Sequence, residues 1–452
     1  MAKLRFLLAQ VVCKIAGFVL RNIFKRGTNT PGILALKICP NMMRYYKMPE
    51  TVICVTGTNG KTTTANTITH ILRENGKKVV SNSEGSNMAS GLVSLFAKNS
   101  SLFGKVKGDM AVLEIDERSS SYIYDKITPT YILCTNLFRD SIKRNGHSEF
   151  IFDKIDKFIP KSTTMLLNAN DPISFMLGKN QGNKSLYFSV LETEKSMEIQ
   201  ETQVKDIIAC PVCGQVLKYD YYHNNHIGQL KKCDCGFCAQ APNFYADNVD
   251  FAKGEFDFNT EKEKISFSFG GNLFNVFNLT ACAAICKTVG ISLEDIKKSI
   301  NNFGSAQGRF ASEKKGDLSV FTMLSKNQNP ISSSQSISYL ENIKGEKSVV
   351  LCITDPNDSH GHEDISWLYD VDFSALKNKE IKTILVGGIR CFDVALCLSL
   401  RDIEPEKIKL YPKYEDLEIN IKKDIEINKG SVGIYFALYA KEIATKIKKA
   451  LD

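Results

Sequence analysis

The sequence predicts an α/β protein built on parallel sheets with helices on both faces, and three observations carry that expectation. Residues 52–64 read as strand, glycine loop and helix start. From there to about residue 167, short apolar runs alternate with stretches of helical spacing, the pattern of a doubly wound sheet. After about residue 315 the alternation restarts, which predicts a second, smaller Rossmann-like domain. The expected organisation is a short helical segment over 1–48, a central domain over 49–314 and a C-terminal domain over 315–452.

The loop is the most informative stretch. An apolar strand over 52–55 stops at Gly57, and Thr58, Asn59, Gly60, Lys61, Thr62 and Thr63 follow, with Ile68, Ile71 and Leu72 on one face of the helix they open. Glycines let backbone N–H groups approach phosphate oxygens, and a helix N-terminus favours negative charge. Lys61 is expected to reach the outer phosphates of ATP and the Thr62 hydroxyl to bind Mg²⁺. The first glycine stands two residues closer than the Walker pattern requires. A plain Gly-Asn turn between strand and helix is the alternative. Further on, the strand at 111–113 ends in Glu114-Ile115-Asp116-Glu117, and a carboxylate at a strand end beside such a loop suits Mg²⁺.

Composition sets the frame around that loop. With 452 residues, 43% hydrophobic and 24% charged, the chain reads as an ordinary soluble globular protein of two or three domains. A net charge of +8 suits a phosphate-bearing substrate or an anionic membrane surface without demanding nucleic acid. Residues 1–25 are basic and apolar, but Gln10, Lys14 and Arg21 interrupt the run and no small-residue cleavage site follows. They predict an amphipathic helix that packs on the body of the protein or touches a membrane. No stretch reaches the ~18 uncharged apolar residues of a spanning helix.

Of 14 cysteines, nine are isolated, mostly in apolar runs (Cys54, Cys134, Cys282, Cys286), and five fall between 210 and 238. That usage points to a reducing, cytoplasmic compartment and one metal site. Cys210-Pro-Val-Cys213-Gly and Cys233-Asp-Cys235-Gly-Phe-Cys238 have the spacing of a zinc ribbon, inserted at about 205–242. Cys210, Cys213, Cys233 and Cys235 are the expected ligands of a closed, structural Zn²⁺, with Cys238 the alternative in the second pair. His223 and His226, between the pairs, could substitute. A nucleic-acid role for the ribbon would use Lys218, Lys231 and Lys232 with Tyr219, Tyr221 and Tyr222.

In this order the motifs resemble the Mur ligase superfamily, from about residue 30 to the C-terminus. Those enzymes make an acyl phosphate from a carboxylate and ATP, which an amine then attacks. The resemblance puts the metal role on Glu114. It likens the 135–140 segment to a family segment in which many members carry a metal-binding His, where this chain has Ser141. Lys154 stands near the position of a carbamylated lysine. Asn168 and Asp171 match residues that contact the adenosine, Asn275 and Asn278 match the Asn positions of an alanine-rich helix, and Arg309 matches an arginine that reaches the phosphates. Only about fifty residues precede the loop, too few for the domain that grips a UDP-linked precursor.

The four-cysteine insert and short N-terminal segment resemble the MurT family. These are the ligase subunits that amidate the D-glutamate of lipid II with a glutaminase partner, GatD. Asp364, Ser366 and Trp367 match a family segment thought to lend an Asp to the glutaminase's Cys-His pair, with Asp364 the first candidate and Asp358 the second. Here Ser359-His360-Gly361 replaces the usual Ala-Asp-Gly. The resemblance implies ATP-dependent amidation of the D-glutamyl α-carboxyl to D-isoglutamine by ammonia from that partner, on lipid II at the inner membrane face. The alternatives are a Mur or folylpolyglutamate type of ligase that adds an amino acid, and a zinc-ribbon ATPase acting on nucleic acid.

Overall fold

A computed structural model describes residues 2–22, 29–82, 87–139, 147–199, 206–270, 272–303, 310–326, 328–354, 364–425 and 430–452. It contains two compact units, one drawn mainly from 1–304 and one mainly from 305–452.

The first unit is organised on β1 (Thr51–Thr56), whose β-branched run suits a strand covered on both faces. It is flanked by β2 (Val79–Ser81) and β3 (Met110–Glu114) on one side, and by β4 (Tyr131–Cys134), β5 (Thr164–Asn168) and β6 (Ser185–Val190) on the other. A small hairpin, β7 (Tyr219–Asn224) and β8 (Ile227–Leu230), stands apart from this sheet. The chain returns in β9 (Phe244–Asp250), parallel to β6, and ends in antiparallel β10 (Glu255–Thr260) and β11 (Lys264–Ser268). The order is β11-β10-β9-β6-β5-β4-β1-β3-β2. The chain leaves β1 toward β2 on one side and leaves neighbouring β4 toward β5 on the other, so the C-terminal ends of β1 and β4 flank a switch point, where open α/β sheets bind ligands.

The expected amphipathic helix is α1 (Ala2–Asn22), followed by α2 (Thr30–Ile38). Phe6, Ala9 and Cys13 join the core of the first unit. Gln10, which breaks the apolar run, is itself buried: its amide donates to Ser100 Oγ at 2.8 Å and accepts from the Tyr46 hydroxyl at 2.7 Å. Among the described residues no helix is long and apolar enough to cross a membrane.

The second unit is the expected smaller sheet, β12 (Phe310–Lys315), β13 (Leu318–Ser325), β14 (Lys347–Cys352), β15 (Ile381–Gly387), β16 (Ile408–Tyr411) and β17 (Gly430–Ala437). Its order is β12-β13-β17-β14-β15-β16, parallel except for the β12/β13 hairpin. Apolar residues fill both faces, as helices covering a parallel sheet require.

Candidate functional site

The loop after β1 is held by the strand beside it. Gly57 has φ +126°, and a Cβ there would lie 2.3 Å from Thr135 Oγ1, so only glycine fits. Thr58 N–H donates to the Asn136 carbonyl at 2.8 Å, and the Thr58 hydroxyl exchanges bonds with the backbone of Phe138. Asn59 N–H donates to Asn136 Oδ1, and the Thr135 hydroxyl donates to Asn59 O at 2.6 Å. The segment starting at Thr135 thus grips the loop from outside. Gly60 has φ +84° and opens α3 (Lys61–Glu74), against whose start Asn278 lies: a Cβ on Gly60 would be 2.3 Å from Asn278 Oδ1. Asn275 turns to the Gly270 carbonyl instead. Thr62 and Thr63 are exposed in the first turn of α3, whose first N–H groups have no partner within the helix.

Lys61 is buried at this centre. Its ammonium folds back on the carbonyls of Gly57 and Thr58 and pairs with Glu117 Oε1 at 2.7 Å. Burial pulls its pKa down, but the carboxylates of Glu117, Glu114 and Asp116 outweigh that and hold it above the ordinary lysine value. Glu117 is the residue that sequence reasoning passed over. It stands in the acidic turn already singled out, but nothing in the spacing says which carboxylate meets Lys61. Glu114 closes β3, with its Oε1 accepting from Asn87 at 3.0 Å and its backbone paired with Asn82. Both side-chain polar atoms of buried Asn59 lack a partner among the described residues. A glycine cradle with an orphaned amide is what a bound polyphosphate would satisfy, and the buried Lys61 cation beside it suits that charge.

Asn168 and Asp171 support the same corner. Asn168 donates to the Thr135 carbonyl at 3.0 Å, and Asp171 accepts from the N–H groups of Leu137 at 2.7 Å and Ile173 at 2.9 Å. His226, in the turn of the β7/β8 hairpin, donates to Asp171 Oδ1 at 3.1 Å and lies 3.4 Å from Asp206 Oδ2. Burial would lower its pKa, but the two carboxylates raise it to about 9. His223 bonds to the Val190 carbonyl at 2.9 Å, and burial pushes it down to about 4. Neither histidine joins the cysteines.

The sulfurs of Cys210, Cys213, Cys233 and Cys235 lie within 4.8 Å of one another, with Cys210–Cys235 and Cys213–Cys233 both at 3.5 Å. Tetrahedral zinc with Zn–S near 2.3 Å separates its sulfurs by about 3.8 Å, so the set fits that ion. Each knuckle closes the same way: Gly214 N–H donates to Cys210 O, and Gly236 N–H to Cys233 O, both at 2.8 Å. Desolvation would raise the Cys210 thiol, but N–H groups of Val212 and Cys213 and the neighbouring thiols draw it down to about 7. Cys238 stays outside the group. The knuckles pack on the body through Phe237, which lies 5.4 Å from the ring of Phe175 in the short helix after β5.

In the second unit, Asp364 is half-buried and its Oδ1 accepts from Ser366 N–H at 2.9 Å, starting the turn that buries Trp367. Asp358 and Arg309 lie outside the described residues. Lys154 is exposed, over the ring of Phe150.

Known proteins match this arrangement over nearly its whole length. The Mur ligase middle domain family matches residues 55–229, and the MurT ligase C-terminal family matches 324–439. The chain is 33% identical over 395 residues to the lipid II isoglutaminyl synthase (glutamine-hydrolyzing) subunit MurT of Staphylococcus aureus (strain COL), covering 87% of each chain. It is 30% identical to the subunit of that name from Streptococcus pneumoniae (strain ATCC BAA-255 / R6), covering 85% of this chain and 84% of that one. Among solved structures, a pseudomurein peptide ligase type C from Methanothermus fervidus superposes with a TM-score of 0.70 at 21% identity, over 92% of this chain and 81% of that one. MurF ligase from Thermotoga maritima in complex with ADP superposes with a TM-score of 0.57 at 15% identity, over 98% and 83%.

Proposed function

We infer the function from one premise: this chain belongs to the MurT family of the Mur ligase superfamily. It is an ATP-dependent ligase, and its reaction is the amidation of lipid II. The finer reading is that the D-glutamyl α-carboxyl becomes the amide of D-isoglutamine. ATP and Mg²⁺ would supply the phosphoryl group and the charge neutralisation that activate that carboxyl as an acyl phosphate. The loop N–H groups and Lys61 would hold the phosphates, with Thr62 and Glu114 on the metal and Asn168, Asp171, Asn275 and Arg309 as further nucleotide contacts. Glu117 keeps Lys61 charged beforehand, and the ammonium would exchange its bonds to the Gly57 and Thr58 carbonyls for phosphate oxygens.

The observation that carries this reading is the buried Lys61–Glu117 pair inside a glycine cradle, in a chain one-third identical to named synthase subunits. Purified protein given ATP, ammonium and lipid II should yield a product of nearly unchanged mass, its carboxyl converted to an amide. A product heavier by an amino-acid residue would overturn the reading in favour of a peptide-adding ligase.

The word subunit in the relatives' names supports a partner, which we take to be a GatD-like glutaminase supplying ammonia. Asp364 would orient a histidine of that partner, and Asp358 is second choice. Asp364→Asn should then abolish glutamine-driven amidation while ammonium still supports it, because the imidazole loses the carboxylate that holds its tautomer. Failure of ammonium to rescue would assign Asp364 to the ligase chemistry or to the fold.

The four thiols would hold a structural zinc, and the protein would work at the cytoplasmic face of the membrane, where a lipid-linked substrate lies.

A further inference from the structure

Helix α1 is apolar on two opposite faces. The inward face carries Phe6, Ala9 and Cys13. The outward face carries Leu4, Leu8, Val11, Ile15 and Phe18, all exposed, with Leu4 at 71%, Ile15 at 60% and Phe18 at 67%. At about 100° per residue these five fall within about 80° of one another. Ile33 and Leu34 of α2, which packs beside α1, add to the exposed apolar surface. So do Leu102 and Phe103, in the loop that the side chains of Gln10 and Lys14 anchor. Scattered exposed apolar residues are ordinary, but a helical stripe with further exposed apolar residues on the two segments packed beside its helix marks an interaction surface.

Charge identifies the occupant. Residues 1–49 hold nine Lys or Arg and neither Asp nor Glu, the first carboxylate being Glu50. On the helical wheel Lys3 and Lys14 lie on one flank of the apolar stripe and Arg5 on the other. Lys98, Lys105 and Lys107 bracket the loop with Phe103, also without an acidic residue between them. An apolar stripe flanked on both sides by cations matches the boundary between acyl chains and anionic headgroups. A second copy of the chain would bring the same cations face to face.

We propose that the outward face of α1, with Ile33, Leu34, Leu102 and Phe103, docks this protein on an anionic lipid bilayer. The helix lies in the plane of the interface, buries its apolar stripe among the acyl chains and sets its cations at headgroup level. This deepens the reading given above and rests on it, because it supplies the element that holds the enzyme on the surface where its lipid-linked substrate resides.

Vesicles of phosphatidylglycerol and phosphatidylcholine, free of lipid II, separate the docking from the reaction. The full-length protein should sediment with phosphatidylglycerol-rich vesicles, bind phosphatidylcholine alone far less, and lose binding as salt rises. Ile15→Asp/Phe18→Asp should weaken vesicle binding by about tenfold or more, since charges enter the buried stripe. Its melting temperature should be unchanged, because both side chains already face solvent. Its turnover should hold on a short-chain, water-soluble lipid II analogue and fall on lipid II in vesicles. Three results would overturn the proposal: no sedimentation of the unaltered protein, equal sedimentation of the variant, or a concentration-dependent dimer that the same substitutions dissolve. A protein that binds vesicles but amidates neither substrate would instead sink the functional reading and leave the docking intact.

Discussion

The phosphate loop and the cysteine insert are both short, glycine-closed turns in the same unit, yet they are held in opposite ways. The loop is closed by protein alone: Thr58 and Asn59 bond to the segment after β4, and Lys61 pairs with Glu117 in a buried setting. The insert packs four buried residues, Cys210, Leu217, Leu230 and Phe237, on Phe175 of the body, and two of its four clustered thiols, Cys213 and Cys235, are exposed. So small a core is marginal by itself, and a metal bond is the usual remedy. The difference teaches that the loop is shaped by its own hydrogen bonds and ion pair, whereas the insert is where the proposed zinc would add most.

The largest expected effect lies at the loop. Lys61→Ala should cut ATP-dependent turnover by about 10²–10³-fold, the scale of one lost electrostatic donor. It also strands the Glu117 carboxylate, at about 3–5 kcal/mol in stability. Adding Glu117→Gln should recover most of that stability and none of the turnover. If the double variant regained activity, Lys61 would be a structural ion only and the contrast would fail.

Next comes the insert. The protein should contain about one zinc per chain, and Cys213→Ser should release it. Amide exchange should then speed up across 206–243 while β1 and α3 keep their protection. Equal loosening of both regions would show that the loop is not self-supporting. A metal-free, fully active protein would show that the insert needs no ion.

The smallest effect sharpens the boundary between the two regions, where His226 of the insert meets Asp171 beneath the loop. Its folded pKa of about 9 lies above the unfolded value of about 6.5. Its contribution is therefore complete below about pH 6.5 and is lost as pH rises through about 9. The gap corresponds to something on the order of 3 kcal/mol. Denaturant unfolding of His226→Gln should show that deficit at pH 6 and almost none at pH 10. A deficit independent of pH would mean that the ring contributes packing on Phe138 rather than charge.

Local order in the chain was enough for much of this. Gly57, Gly60, Lys61 and Thr62 stand within six residues, so backbone geometry alone aligns them at a helix start. The cysteine knuckles are likewise set by spacings of one and two residues, and even the competition among Cys233, Cys235 and Cys238 involved neighbours only. Strand and helix alternation followed from hydrophobic period, which each segment carries by itself.

What tertiary structure decided were meetings between distant residues. Lys61 finds Glu117 rather than a neighbour, because parallel β1 and β3 end side by side. Asn278, a turn beyond Asn275, reaches Gly60 because its helix packs on α3. His223 and His226 are three residues apart with the same chemistry in isolation. One faces a carbonyl and the other two carboxylates, so folding drives their proton affinities in opposite directions. Helix α1 shows the same division: its sequence specified an apolar, basic helix, and only packing determined which apolar stripe turned inward and which was left to the solvent.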